Sequence, residues 1–138
     1  MNLQSDSGDS LDTNEIGRKG ESLACLFLRR QGKKILYRNF DPPYGGEVDI
    51  VYRDGDTLVF GEVKTRTSED FGRPLDAVDK DKEERVAKGG LAWMRMLDAP
   101  VSSFRFDVIE VVLIQGELPA INLIEEAFHL PDGYLPPQ

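Results

Sequence analysis

Two short runs around an Asp-Gly turn constrain this chain more than any other feature. Glu47-Val48-Asp49-Ile50-Val51-Tyr52 and Thr57-Leu58-Val59-Phe60-Gly61-Glu62-Val63-Lys64-Thr65 are rich in apolar and β-branched residues, and Asp54-Gly55-Asp56 between them is a hairpin signal. An antiparallel pair of strands is predicted. Side chains alternate along a strand. Glu47, Asp49 and Val51 therefore share one face of the first run, and Leu58, Phe60, Glu62 and Lys64 share one face of the second. If both sets point the same way, Asp49 and Glu62 converge on one point, with Lys64 one pleat further along. Charges inside a run that otherwise reads as buried are costly unless something pairs with them.

The remaining chain supplies elements to cover this hairpin. Residues 16–31 read as a helix with Ile16, Gly20, Leu23, Ala24, Phe27 and Leu28 on one face, Asn14 as the expected N-cap and Gly32 as the stop. Gly17 and Gly20 suggest close approach to another element, and Glu21 flanks the apolar face. Residues 33–40 read as a strand, and the Pro- and Gly-punctuated residues 41–46 as a loop. After a polar loop at 67–74, residues 75–97 read as a second helix with Leu75, Val78, Lys82, Val86, Gly90, Trp93, Met94 and Leu97 in line, bent at Gly89-Gly90. Residues 104–114 form a strong strand, 119–123 an edge strand, and 125–129 one helical turn. The expected layout is a tail at 1–14, a single domain at 15–130 and an irregular end at 131–138. The expected fold is α/β, with no internal repeat and no linker.

Two carboxylates and a lysine on adjacent strands suit a metal site that attacks a phosphodiester. Mg²⁺ prefers oxygen ligands, keeps several waters, and is commonly held by one or two carboxylates together with substrate phosphate. Asp49 and Glu62 would supply the carboxylates and the Val63 carbonyl a third oxygen, with Mn²⁺ as a substitute cation. Such a metal lowers the pKa of a bound water. Lys64 would orient the nucleophile or neutralise developing charge, and Glu21 would complete the set. The alternative is a structural cluster in which Lys64 pairs with Asp49 or Glu62 at a sheet end.

Lys82 lies in line with Val78 and Val86, so it either snorkels at the core edge or reaches phosphate in the site. Arg66 and Arg73 are further phosphate candidates. Asp107, inside Arg105-Phe106-Asp107-Val108, fits a structural pairing with Lys82, Arg105 or a backbone donor. His129 is the only histidine, and nothing near it in sequence supports a nucleophilic triad. Cys25 reads as a core or boundary residue. There is no P-loop, dinucleotide glycine motif or zinc spacing.

Composition sets limits on partners. The net charge is −8, so attraction to nucleic acid requires a local basic patch or bridging cations. One cysteine cannot form an internal disulfide, which fits a reducing cytoplasm. No apolar run approaches the ~20 residues of a membrane span, and no signal peptide is evident.

The chain resembles the YraN-like family of small bacterial proteins, which is similar to restriction endonuclease-like (PD-D/ExK) nucleases and among them to archaeal Holliday junction resolvases. Gly20-Glu21-x-x-Ala24, Arg38-Asn39-Phe40, Gly46-Glu47-Val48-Asp49-Ile50-Val51, Glu62-Val63-Lys64-Thr65-Arg66, Lys82 and Arg105-Phe106-Asp107-Val108 carry the resemblance. It implies a mixed central sheet flanked by helices, with Asp49, Glu62 and Lys64 as a catalytic trio assisted by Glu21. It further implies a Mg²⁺-dependent endonuclease acting on DNA, branched DNA included, and a homodimer. The alternative is a nucleic-acid-binding or protein-interaction module that keeps the fold without catalysis. Asp41, Glu83 and Glu84 stand where basic residues are usual in the family.

Overall fold

A computed structural model describes residues 12–68 and 80–130. The elements are α1 (Thr13–Arg30), β1 (Lys34–Phe40), β2 (Val48–Asp54), β3 (Thr57–Thr67), α2 (Lys80–Arg95), β4 (Phe104–Leu113) and β5 (Ala120–Phe128). The strands form one sheet in the order β1-β2-β3-β4-β5. Three of its four pairings are antiparallel, and β3 with β4 is parallel. A parallel pair needs a long crossover, and α2 lies in the segment that makes it. The architecture is the expected α/β one, a mixed sheet with flanking helices, consistent with a restriction endonuclease-like arrangement.

Alternation along β3 divides the core in two. Leu58 and Phe60 pack with Val86, Ala87, Leu91 and Met94 of α2. Val59, between them, packs with Ala24, Cys25 and Leu28 of α1. The helices therefore cover opposite faces of the sheet. Val51 joins Leu58 and Phe60 in the α2 layer, so the two predicted strand faces point the same way. Asp54 pairs with Thr57 across the expected hairpin turn.

Gly20 lets α1 sit directly on β3. A Cβ there would run into the Thr65 side chain, whereas one at Gly17 would meet nothing. The expectation of close approach holds for Gly20 and fails for Gly17. Cys25 is buried in the α1 layer, as expected.

Several local expectations are corrected. The N-cap of α1 is Asp12, whose side chain accepts the Glu15 N–H at 2.7 Å. Asn14 lies within the first turn instead, because Asp12 is the equally suitable acceptor two residues earlier. Leu97 lies beyond the end of α2 and is exposed. Residues 125–129 do not form a helical turn. β5 runs through to Phe128 and absorbs an irregularity at Glu126, which has φ 50°. Pairing with β4 outweighs the local helical preference of Glu125-Glu126-Ala127. Leu75, Val78 and Arg73 lie outside the described residues.

A buried polar network fixes the hairpin end of the α1 face. Asp107, fully buried, accepts from Tyr52 Oη at 2.6 Å, Arg105 Nε at 2.9 Å and the Glu126 N–H at 3.1 Å. Arg105 also reaches Asp54 at 2.8 Å. Asp107 is thus a structural anchor that pairs with Arg105 and a backbone donor. Lys82 is engaged elsewhere.

Candidate metal and phosphodiester site

The site forms where β2 separates from β3. Their last matched pair at this end is Ile50 with Gly61, while β3 continues beside β4 as far as Thr67. Beyond Gly61 the edge of β3 facing β2 loses its ladder partner. The Asp49 side chain takes over there, with Oδ2 accepting the Val63 N–H at 2.8 Å. This bond leaves Oδ1 without a hydrogen bond among the described residues.

Glu62 follows on the α2 side of β3 and is only 4% exposed. Burial first, then Asp49 and Glu83, push its carboxyl above the usual range, while Lys64 and Lys82 pull it down. Asp49 is likewise raised, by burial first and by Glu47, against Lys82 and the Val63 amide. The charge of Asp49 therefore acts on Glu62, and Lys82 acts on both.

Glu21 approaches from α1. Burial and the charge of Asp49 raise its pKa, against Arg38, Asn39 and Lys82. A helix on one sheet face and a lysine on the other thus act on the same residue, because both stand at the open end of the sheet.

Lys82 Nζ donates to Glu47 Oε1 at 2.6 Å, and Arg85 Nε lies 3.7 Å from the same oxygen. Lys82 is held protonated above the ordinary lysine range. Burial opposes this, but the Glu47 bond and the charges of Asp49, Glu47 and Glu62 outweigh it. Lys82 is thus ion-paired with Glu47 and lies within reach of the charges of Asp49 and Glu62. Arg66 turns toward β4, with Nη1 3.7 Å from Glu110 Oε2. Glu110 Oε1 accepts from Asn122 at 3.1 Å, and Oε2 is buried without a hydrogen bond.

Two contributors were not legible as such. Glu47 shares the Asp49 face by alternation, but its partner is 35 residues away. Glu110 reads as one more residue in an apolar strand until the parallel register sets it opposite Lys64.

The loop into the site is shaped by Gly46. It has φ +99°, and a Cβ there would lie 2.9 Å from the Gly89 Cα. Glu47 N–H then donates to the Arg85 carbonyl at 3.0 Å. The Gly-Gly step of α2 thus serves as the seat for this loop, and Gly90 meets Phe60 and Phe106.

The donor set fits a hard divalent cation. Two carboxylates whose charged forms are disfavoured by burial would gain from one, and each retains oxygen capacity. Glu62 makes no side-chain hydrogen bond among the described residues, and Asp49 uses only Oδ2. The observed Val63 contact is through its N–H. Among the described residues no three or more His, Cys, Asp or Glu side chains are gathered closely enough to hold a metal by themselves. Any cation would depend on the two carboxylates together with backbone, water or phosphate oxygens.

Comparison with known proteins places the chain. A family profile described as "Uncharacterised protein family UPF0102" matches residues 20–111. The chain belongs to this family, the YraN-like family. One member, a UPF0102 protein of Geobacter metallireducens, is 48% identical over 124 residues, covering 88% of this chain and 98% of the relative. A UPF0102 protein of Nocardia farcinica is 39% identical over 117 residues, covering 85% and 91%. One from Syntrophus aciditrophicus is 41% identical over 117 residues with the same coverage. The UPF0102 match spans Glu21, Asp49, Glu62, Lys64 and Lys82, so the whole site lies within the family's shared region. No described helix is long and apolar enough to cross a membrane.

Proposed function

We propose that this protein is a Mg²⁺-dependent endonuclease that hydrolyses DNA phosphodiesters, branched DNA among its substrates. The observation that carries the reading is the Asp49 Oδ2 contact with the Val63 N–H at 2.8 Å, which sets this carboxylate beside the residue that follows buried Glu62, with Lys82 acting on both carboxyls. Mn²⁺ would substitute for Mg²⁺.

Asp49 and Glu62 would hold the cation, with a third oxygen from the carbonyl of Val63, the residue whose N–H meets Asp49. The cation supplies water activation and charge stabilisation at the phosphate. Lys64 orients the attacking water and offsets charge on the phosphoryl oxygens. Glu21 supports Asp49 from α1. Lys82 and Arg66 offer cations to the flanking phosphates, Lys82 by exchanging its Glu47 partner. A buried single cysteine agrees with a cytoplasmic setting, and a homodimer would present two such sites to a branched substrate.

A non-catalytic nucleic-acid-binding or protein-interaction module is the second reading. It is favoured by the absence, among the described residues, of a preassembled three-ligand cluster and by the closed Lys82–Glu47 pair. Incubation with supercoiled, single-stranded and four-way-junction DNA in Mg²⁺ separates the two. Cleavage that disappears in Glu62→Gln and Lys64→Ala supports the nuclease. Product undiminished in both variants would reject it.

A further inference from the structure

The loop that enters the site also forms one wall of a groove on its outer side. Pro42, Pro43, Tyr44 and Gly45 face Lys88, Leu91, Ala92, Arg95 and Met96 of α2 and its end across a cavity of about 540 Å³. Gly45 N–H donates to the Pro42 carbonyl at 3.3 Å, which closes a turn around Pro43 and Tyr44. The prolines restrict that turn before any ligand arrives. Tyr44 stands at its tip, 100% exposed. The turn is anchored to α2 through Gly46 on Gly89 and the Glu47–Arg85 backbone bond. An aromatic ring is thus held out in water on a supported scaffold.

The opposite wall is basic. Lys88 and Arg95 are seven residues apart, nearly two full turns, so they project from the same side of α2 at a spacing of roughly 10 Å. Neither enters an ion pair among the described residues, whereas Lys82 and Arg85 are engaged with Glu47. On a chain of net charge −8, the groove is lined among the described residues by these two cations and by no carboxylate, beside an exposed aromatic ring.

We propose that this groove binds single-stranded nucleic acid, with an unpaired base on Tyr44 and phosphates at Lys88 and Arg95. Charge complementarity selects a polyanion. The apolar floor of Leu91, Ala92 and Met96 selects one whose base faces are available. A duplex keeps its bases stacked inside and presents phosphates alone to such a surface, whereas single strands bind by stacking on aromatic rings along a basic track. At roughly 10 Å apart, Lys88 and Arg95 can meet different phosphates of one strand. The turn leads through Gly46 into Glu47 and Asp49, so the loop that carries Tyr44 also leads into these site carboxylates. The substrate of the proposed nuclease would then contain an unpaired segment next to the bond that is cut.

The inference rests on the nucleic-acid part of the proposed function and not on cleavage. It is therefore tested in chelator, where no metal-dependent cleavage occurs. Fluorescence anisotropy would follow a labelled oligothymidine of about 15 nucleotides and a duplex of equal length. Binding of the single strand should weaken about tenfold in Tyr44→Ala and recover in Tyr44→Trp. The duplex should show no dependence on Tyr44. Lys88→Gln with Arg95→Gln should reduce the logarithmic salt slope by about 1.4. No single-strand binding by the wild type, or equal losses on single strand and duplex, would overturn the proposal. So would a Tyr44→Ala variant that loses self-association while oligothymidine binding is unchanged, since the groove would then be covered by a second copy. Cleavage without Tyr44-dependent binding would reject the groove and leave the nuclease standing. Tyr44-dependent binding without cleavage would do the reverse.

Discussion

The Val63 amide donates to Oδ2 of Asp49 across 2.8 Å. This bond stands where the β2–β3 ladder stops after Ile50 and Gly61. It satisfies an amide that the departing strand no longer serves, and it fixes one oxygen of Asp49. The same bond continues the β2–β3 contact past its ladder and fixes a carboxylate of the candidate site, so the site's carboxylates should influence stability as well as activity.

Asp49 and Glu62 both have carboxyls raised above their ordinary values, with burial as the leading cause. In the window between the ordinary and the raised values, the native state binds more protons than the unfolded chain. Their contribution is therefore fully present below the unfolded values and is lost as pH rises through the folded ones. Asp49→Asn and Glu62→Gln should each raise the denaturation midpoint at pH 7 in chelator. The gain should shrink as pH falls and the wild-type carboxyls become protonated themselves. Asn retains an oxygen for the Val63 amide. Urea titrations across this range measure the effect, and variants less stable than wild type at pH 7 would contradict it.

A cation between these carboxylates should reverse their cost. Mg²⁺ or Mn²⁺ should raise the melting temperature of the wild type and leave Asp49→Asn unchanged, because ligand binding to the native state stabilises by mass action. Calorimetric titration on the same two proteins gives an independent check. Binding that survives Asp49→Ala would remove the proposed site.

On DNA, Lys64→Ala should reduce the cleavage rate about 10²- to 10³-fold, the range for losing one preorganised electrostatic contact to the transition state. Lys82→Met should act mainly on binding, because its cation already has Glu47 as a partner. Single-turnover rates at saturating enzyme separate the two. A Lys82 variant as slow as the Lys64 variant would assign Lys82 to the chemical step.

Asp107 anchors Tyr52, Arg105 and the Glu126 backbone. Asp107→Ala should cost about 3–5 kcal/mol, because Arg105 is left partly buried without its inner partner. Tyr52→Phe should cost about 1–3 kcal/mol, the penalty for removing one donor from a buried acceptor. Neither should alter metal binding in the folded protein, since the network lies at the hairpin end of the sheet. Guanidinium denaturation and metal titration test the two statements separately.

Gly46→Ala combines a positive φ with a Cβ driven onto the Gly89 backbone. It should cost at least 1–3 kcal/mol, the range for a strained backbone position, and should weaken the Lys82–Glu47 contact as the loop shifts. A variant with an unchanged denaturation midpoint would show that the loop is not seated on α2.

Local sequence determined the strands around the hairpin, the face of β3 that carries Leu58, Phe60, Glu62 and Lys64, and the presence of both helices. Periodicity and turn chemistry act over a few residues and are readable there. It misjudged residues 125–129, where Glu125-Glu126-Ala127 has helical character but lies within β5, in the irregularity between the β4 pairings of Ile124 and Phe128. It also placed the α1 cap at Asn14, since it could not choose among several good acceptors.

The site divides in the same way. Alternation put Asp49 beside Glu62, and helical spacing put Lys82 in line with Val86. Only the tertiary structure joined Lys82 to Glu47, set Glu110 opposite Lys64 and brought Glu21 under the influence of Asp49. These contacts depend on the parallel β3–β4 register and on helices seated on opposite sheet faces. Residues far apart in sequence meet only after the core has packed, so no local pattern encodes them.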